Sequence, residues 1–356
     1  MHGDTQAVRP HEQLDWAALA AYLRWHLRAD HIKGLDLSAA MEVSQFPGGH
    51  SNLTYLVRLG GAELVVRRAP FGPVAPTAHD MAREYRWLAA LNPIFAQAPR
   101  PYLLCADANV IGAPFFVMER RRGMVVRHEE PLPLANRPEV RRRVSEALVD
   151  TLVVLHAIDV TVQPLAALGR PAGFIDRQVR GWTERWHRSK LTEIPEMDDV
   201  AAWLAGRIPP DPARPAIVHG DFKLDNLLLD PLDPSRILAV FDWEMSALGD
   251  PLMDLGFLIV HWTPTGPPAD GDALAPVTDR PGWFTREEIV ERYADRSGRD
   301  VSQIRFYETL ARFKLAVVIQ QIYYRFRQGQ TDDPRFANFG ARVEYLAGTA
   351  AAALDA

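Results

Sequence analysis

The 356 residues carry 40 Lys and Arg against 45 Asp and Glu, a formal net charge of −5. That balance argues against a general nucleic-acid binder, which carries a basic excess, so no nucleic-acid partner is expected. The 47% hydrophobic and 24% charged content suits a globular enzyme of one large or two medium domains. The single cysteine, Cys105, excludes an intramolecular disulfide and a multi-cysteine zinc site, and it suits a reducing, cytoplasmic setting.

Residues 1–10 lack the apolar run of a signal peptide. Leu14, Leu19, Leu23 and Leu27 predict an amphipathic helix over 12–28. Phe-Pro-Gly-Gly-His-Ser-Asn over 46–52 is a turn-rich loop. It leads into a strand over 53–59, the two-residue signal Gly60-Gly61 and a returning strand over 63–68. Pro70, Pro73 and Pro76 mark a rigid connector before a helix over 80–91. Residues 111–119 read as a buried strand running into Arg120-Arg121-Arg122-Gly123, where the domain boundary is placed. The remainder is mostly helical: 138–158, with its stripe of Val144, Leu148, Leu152 and Leu155, then 174–187 and 197–208. Strands and a polar loop follow over 217–242, and a helix begins near Pro251. A Pro- and Gly-rich loop over 264–279 precedes three helices at 285–296, 301–328 and 334–353. Residues 310–324 are the best membrane candidate, but Arg312, Lys314, Gln320 and Gln321 make them too polar and they are too short, so no membrane partner is expected.

The chemistry concentrates in His219-Gly220-Asp221, followed by Asn226 and, sixteen residues further on, Asp242. Each polar group lies where an apolar run stops, so the core anchors it and its side chain projects from the edge. Phosphoryl transfer needs a group that orients a hydroxyl and accepts its proton, and oxygens that hold Mg²⁺. Asp221 can act as that base. Asn226 and Asp242 can supply oxygens to Mg²⁺, which takes few protein ligands and keeps the rest for water and phosphate.

This stretch resembles the catalytic and metal-binding loops of the aminoglycoside phosphotransferase/choline kinase family, relatives of the protein kinases. The resemblance implies an α+β, bilobal protein kinase-like fold. Residues 1–119 would form a small antiparallel-sheet, nucleotide-binding lobe, and residues 120–356 a mostly helical catalytic and substrate-binding lobe. It also implies ATP and Mg²⁺ as cofactors and a small-molecule hydroxyl as acceptor. Lys223 would offset charge on the transferring phosphoryl group. Gly48, Gly49, His50, Ser51 and Asn52 would form the nucleotide-positioning loop. Phe115 to Glu119 would be the hinge that reads adenine through its backbone, with Met118 over the ring and Glu119 and Arg120 contributing main chain.

One position departs from the pattern. Where the returning strand should carry a lysine, residues 64–68 read Leu-Val-Val-Arg-Arg, which puts Arg67 there with Glu84 as its partner. Arg67-Arg68-x-Pro70, Arg83-Glu84-Tyr85, Phe116-Val117-Met118-Glu119 and Arg177-Gln178 with Trp182 resemble the kinase-like N-terminal domain of certain acyl-CoA dehydrogenases. That branch implies a hydroxyacyl-CoA or hydroxy acid as acceptor. Alternatives are a nucleotide-binding pseudokinase, for which Arg67 argues, and an aminoglycoside- or choline-type kinase. For a polycationic acceptor, 261–282 offers only Asp270, Asp272 and Asp279. Arg120, Arg121, Arg122 and Arg127 either meet an anionic substrate or form a solvated edge. Trp182, Trp186, Trp203, Trp262 and Trp283 are either a substrate wall or core. His156, Asp250 and Asp254 are expected to be structural.

Overall fold

Strand-forming runs that alternate about a buried face assemble the first part of the chain into one antiparallel sheet. The computed structural model describes residues 4–47, 52–71, 80–127, 129–262, 277–331 and 334–354. The chain divides into two compact units. Met1–Gly123 and Leu238–Glu244 form one; Met124–Ile237 and Met245–Ala356 form the other. The sequence boundary at 119/120 therefore falls four residues short of the observed division. A linear cut also cannot show that 238–244 returns to the first unit.

In the first unit, α1 (Trp16–His26) is followed by β1 (Met41–Gln45), β2 (Leu53–Leu59) and β3 (Ala62–Arg68). Then come α2 (Met81–Leu91), β4 (Pro101–Cys105) and β5 (Phe115–Glu119). The strand order is β1-β2-β3-β5-β4, with every neighbouring pair antiparallel. The hairpin closes as predicted, with Leu59 opposite Ala62 across Gly60-Gly61. β5 begins at Phe115 rather than 111, because Gly112 (φ 82°) and Pro114 interrupt the extended run. On one face, Leu19, Leu23 and Leu27 of the α1 segment pack with Tyr55, Val57, Leu64, Val66, Phe115 and Val117. Asp80 caps α2 by accepting the Arg83 N–H. Trp87, Leu88 and Leu91 of α2 are buried.

The second unit contains α3 (Pro138–His156), α4 (Phe174–Ser189) and α5 (Pro195–Ala205). Next are β6 (Ala216–Val218), β7 (Leu227–Leu229), β8 (Ile237–Val240), whose last three residues belong to the first unit, β9 (Ala247–Gly249) and α6 (Leu252–Val260). The closing helices are α7 (Arg286–Ser297), α8 (Ile304–Arg327) and α9 (Phe339–Ala352). β6 and β9 pair antiparallel, with Ile217 opposite Leu248. α8 is central and touches α4, α5, α6 and α9. Gly256 lets α6 approach it, since a Cβ there would lie 2.6 Å from the Tyr307 carbonyl carbon. Trp182, Trp186, Trp262 and Trp283 are buried as core, and Trp203 is partly buried and stacks on Phe306. Among the described residues, no helix is long and apolar enough to cross a membrane.

Candidate active site

Two constellations hold the residues singled out from the sequence, one in each unit. In the second unit, β6 delivers the chain into a loop whose main chain is tied down on several sides. Asp254 of α6 accepts the N–H of His219 through Oδ2 at 2.6 Å and of Gly220 through Oδ1 at 2.7 Å. Asp254 is fully buried. Burial opposes its charge, but His156, His219 and the Gly220 amide outweigh that and hold its carboxyl below the usual range. His156 is a core histidine, as expected. Its Nδ1 meets the Tyr293 hydroxyl at 2.7 Å and its Nε2 meets Asp254 at 3.2 Å. Burial pushes its pKa down, with Asp254 opposing. Asp250 accepts the Leu252 N–H at 2.9 Å and the Tyr307 hydroxyl at 2.5 Å, so it caps α6 from just before the formal cap position, Pro251.

Gly220 has φ 83°, and a Cβ there would come within 2.8 Å of the Met245 carbonyl oxygen. Only glycine fits this turn. Beyond it, Asn226 donates from Nδ2 to both the main-chain oxygen and Oδ2 of Asp221, each at 2.8 Å. One bond holds the carboxylate and the other the main chain of the same residue. Lys223 Nζ lies 3.2 Å from Asp221 Oδ1. The structure thus brings Asp221, Lys223 and Asn226 together.

Lys314 escaped the sequence reading, where it counted only as a polar interruption in an apolar helix. It is 5% exposed, and Nζ donates to the Gly220 carbonyl at 2.6 Å. Burial is the main reason its pKa falls to about 8; Asp221 and Asp254 pull the other way. The available signal was its spacing, on the stripe that also carries Leu310, Phe313 and Val317.

In the first unit, strand register puts Arg67 opposite Phe116 and Val65 opposite Met118, so Arg67 and Met118 share a sheet face. Arg67 Nη1 reaches Glu84 Oε1 at 2.5 Å, and Nη2 reaches Asp242 Oδ1 at 2.6 Å. Glu84 is 1% exposed, so it is the strand arginine's partner rather than a surface carboxylate. Burial pushes the Glu84 carboxyl up, Arg67 opposes, and Asp242 and Glu244 push further up. Asn52 donates to Glu244 at 2.9 Å. Glu244, two residues after Asp242 and given no role from the sequence, therefore belongs to the same cluster. Asp242 has φ 71°, a left-handed conformation unusual for a non-glycine residue; such geometry costs on the order of 1 kcal/mol. Within the first unit, Arg67 is thus held by Glu84 and Asp242, with the Glu244 carboxylate in the same electrostatic cluster.

The other expectations fare differently. Gly48, Gly49, His50 and Ser51 lie outside the described residues, as do Asp270 and Asp272. β5 is an interior strand, and the Glu119 N–H donates to Arg100 O at 2.8 Å. The arginine run is internally paired: Arg120 meets Asp4 and the face of Phe46, Arg121 meets Glu119, and Arg122 meets Glu63. That favours a structural edge over an anion site.

The comparisons with known proteins agree with this architecture. A crystal structure of a provisionally named aminoglycoside phosphotransferase from Ralstonia eutropha JMP134 superposes with a TM-score of 0.79 at 29% identity, over 96% of this chain and 99% of that one. A thermostable mutant of aminoglycoside phosphotransferase APH(4)-Ia, solved with AMP-PNP and hygromycin B, gives 0.56 at 16% identity, over 88% and 94%. The fold is thus the α+β, kinase-like fold of the phosphotransferases. The sequence model of the "Phosphotransferase enzyme family" matches residues 42–291, and the chain belongs to that family. Acyl-CoA dehydrogenase family member 11 of Mus musculus is 35% identical over 330 residues, 92% of this chain. This chain spans 41% of that relative's length.

Proposed function

We propose that this chain transfers the γ-phosphoryl group of ATP, with Mg²⁺, to a hydroxyl of a small molecule. The observation that carries the reading is the Asp221–Asn226 pair, in which Asn226 Nδ2 holds the Asp221 carboxylate and main-chain oxygen by one 2.8 Å bond each, on a loop anchored by Asp254. Asp221 orients the acceptor hydroxyl and takes its proton. Lys223, now on Asp221, offsets charge on the phosphoryl oxygens as it transfers. Asn226 and Asp242 would hold Mg²⁺, which when bound draws charge from the phosphate oxygens. Arg67, fixed by Glu84, steers the nucleotide phosphates. Gly48, Gly49, His50, Ser51 and Asn52 would line them, and Met118 with the main chain of Glu119 and Arg120 would face the base.

For the acceptor we propose a hydroxyacyl-CoA or hydroxy acid. The support is likeness to relatives named acyl-CoA dehydrogenase family members. The cations Lys223 and Lys314 beside Asp221 also suit an acceptor that is not itself polycationic. The test is ATP consumption against hydroxyacyl-CoAs, choline-like alcohols, sugars and aminoglycosides, each with and without Mg²⁺. Mg²⁺-dependent turnover with a hydroxyacyl-CoA or hydroxy acid is expected. Turnover confined to aminoglycosides would overturn the acceptor assignment.

One observation favours a second reading. Arg67 binds Asp242 as well as Glu84, so a cation already sits on a proposed metal ligand, as suits a nucleotide-binding pseudokinase. ATP binding without transfer to any acceptor would support that reading.

A further inference from the structure

We propose that Lys314 is a positioning residue for Asp221: its ammonium clamps the Gly220 carbonyl and so fixes the peptide that carries the base. The inference rests on the reading of Asp221 as the base.

α8 buries Leu310, Ala311, Phe313 and Val317 completely, and Lys314 lies among them. A position chosen for packing alone would hold Leu or Met, because a buried ammonium must recover its lost hydration from specific partners. Lys314 has such partners. Nζ donates to Gly220 O at 2.6 Å and lies 4.5 Å from the Phe257 ring centre and 5.7 Å from that of Trp182.

The Gly220 N–H is held from the other side by Asp254. Gly220 is therefore gripped at its N–H from α6 and at its carbonyl from α8. With no side chain and a positive φ, it has nothing else of its own to hold that conformation. The next atoms along the chain are those of Asp221. A small rotation of the 220–221 peptide would swing the carboxylate away from its place on Asn226, and misplacement of a catalytic group by about 1 Å can cost on the order of 10²-fold in rate. Asp221 and Asp254 favour the charge on Lys314, while Lys223 and Arg185 of α4 oppose it. His261, just past α6, is held neutral by its burial and by Lys223. The clamp thus works as a cation among named neighbours.

The test compares Lys314→Met, Lys314→Gln and Asp221→Asn in the full chain. Amide exchange over 217–226 is read by mass spectrometry, and MgATP turnover is measured with water as acceptor. For Lys314→Met we expect faster exchange confined to 217–226. We also expect kcat to fall about tenfold or more with KM for ATP unchanged. Lys314→Gln, which keeps a donor, should fall between wild type and Lys314→Met. Unchanged exchange and kcat in a folded Lys314→Met protein would overturn the proposal. So would exchange rising equally along α6 and α8, which marks an ordinary core residue. Asp221→Asn separates the two ideas. If it keeps full turnover, the base reading fails, whereas the exchange pattern of Lys314→Met still judges the clamp.

Discussion

Arg67 serves two carboxylates with two different nitrogens, a task that a lysine's single ammonium performs less well. Arg67→Lys is expected to weaken ATP binding about tenfold, measured by calorimetry, because one charge-assisted bond is lost. Arg67→Ala leaves Glu84 buried without its cation and should cost about 3–5 kcal/mol in a denaturant titration. Lys314 makes a pH prediction. Its folded pKa, about 8, lies below the ordinary lysine value of 10.5. Between those values the unfolded chain holds a proton that the folded chain has released, so stability rises with pH across that window. The gain is about 3 kcal/mol. Thermal melts from pH 7 to 10 should show the rise in wild type and not in Lys314→Met. A parallel pH response in both proteins would contradict it.

At the scale of elements, the close approach of α6 to α8 makes Gly256 a sensitive position. Alanine favours helix by about 1 kcal/mol over glycine, yet its Cβ would meet Tyr307 backbone at 2.6 Å. Gly256→Ala is therefore expected to destabilise by about 1–3 kcal/mol, read by chemical denaturation. A more stable variant would show that the helices can part at no cost. The elements also show what was legible in the sequence. Long periodic helices such as α3 and the Gly60-Gly61 hairpin followed from pattern alone. β1 and β4 did not. β1 buries only Gln45 and β4 only Cys105, so neither has a clean alternation, and Pro101 is tolerated because β4 is an edge strand. Asp221, Asn226 and Asp242 stood out because carboxylate and amide groups at the ends of apolar runs are unusual locally. Lys314 did not, because its function depends on a carbonyl 94 residues earlier in the chain, and a lone lysine in a helix usually marks a solvent face.

For the whole molecule, a nucleotide that binds only the folded chain must stabilise it. At a hundred times Kd the effect is about 2.7 kcal/mol. MgATP should raise the melting temperature, and ATP with a chelator should raise it less if Asn226 and Asp242 hold the metal. Equal shifts in both conditions would contradict that assignment. The proposed transfer depends on Asp221 as its base. The most direct measurement is kcat for ATP-dependent phosphorylation of the best hydroxyacyl-CoA or hydroxy acid acceptor, compared between wild type and Asp221→Asn. A fall on the order of 10²–10⁴ is predicted, with ATP still bound. An Asp221→Asn protein that phosphorylates the same acceptor at the wild-type rate would rule out Asp221 as the base.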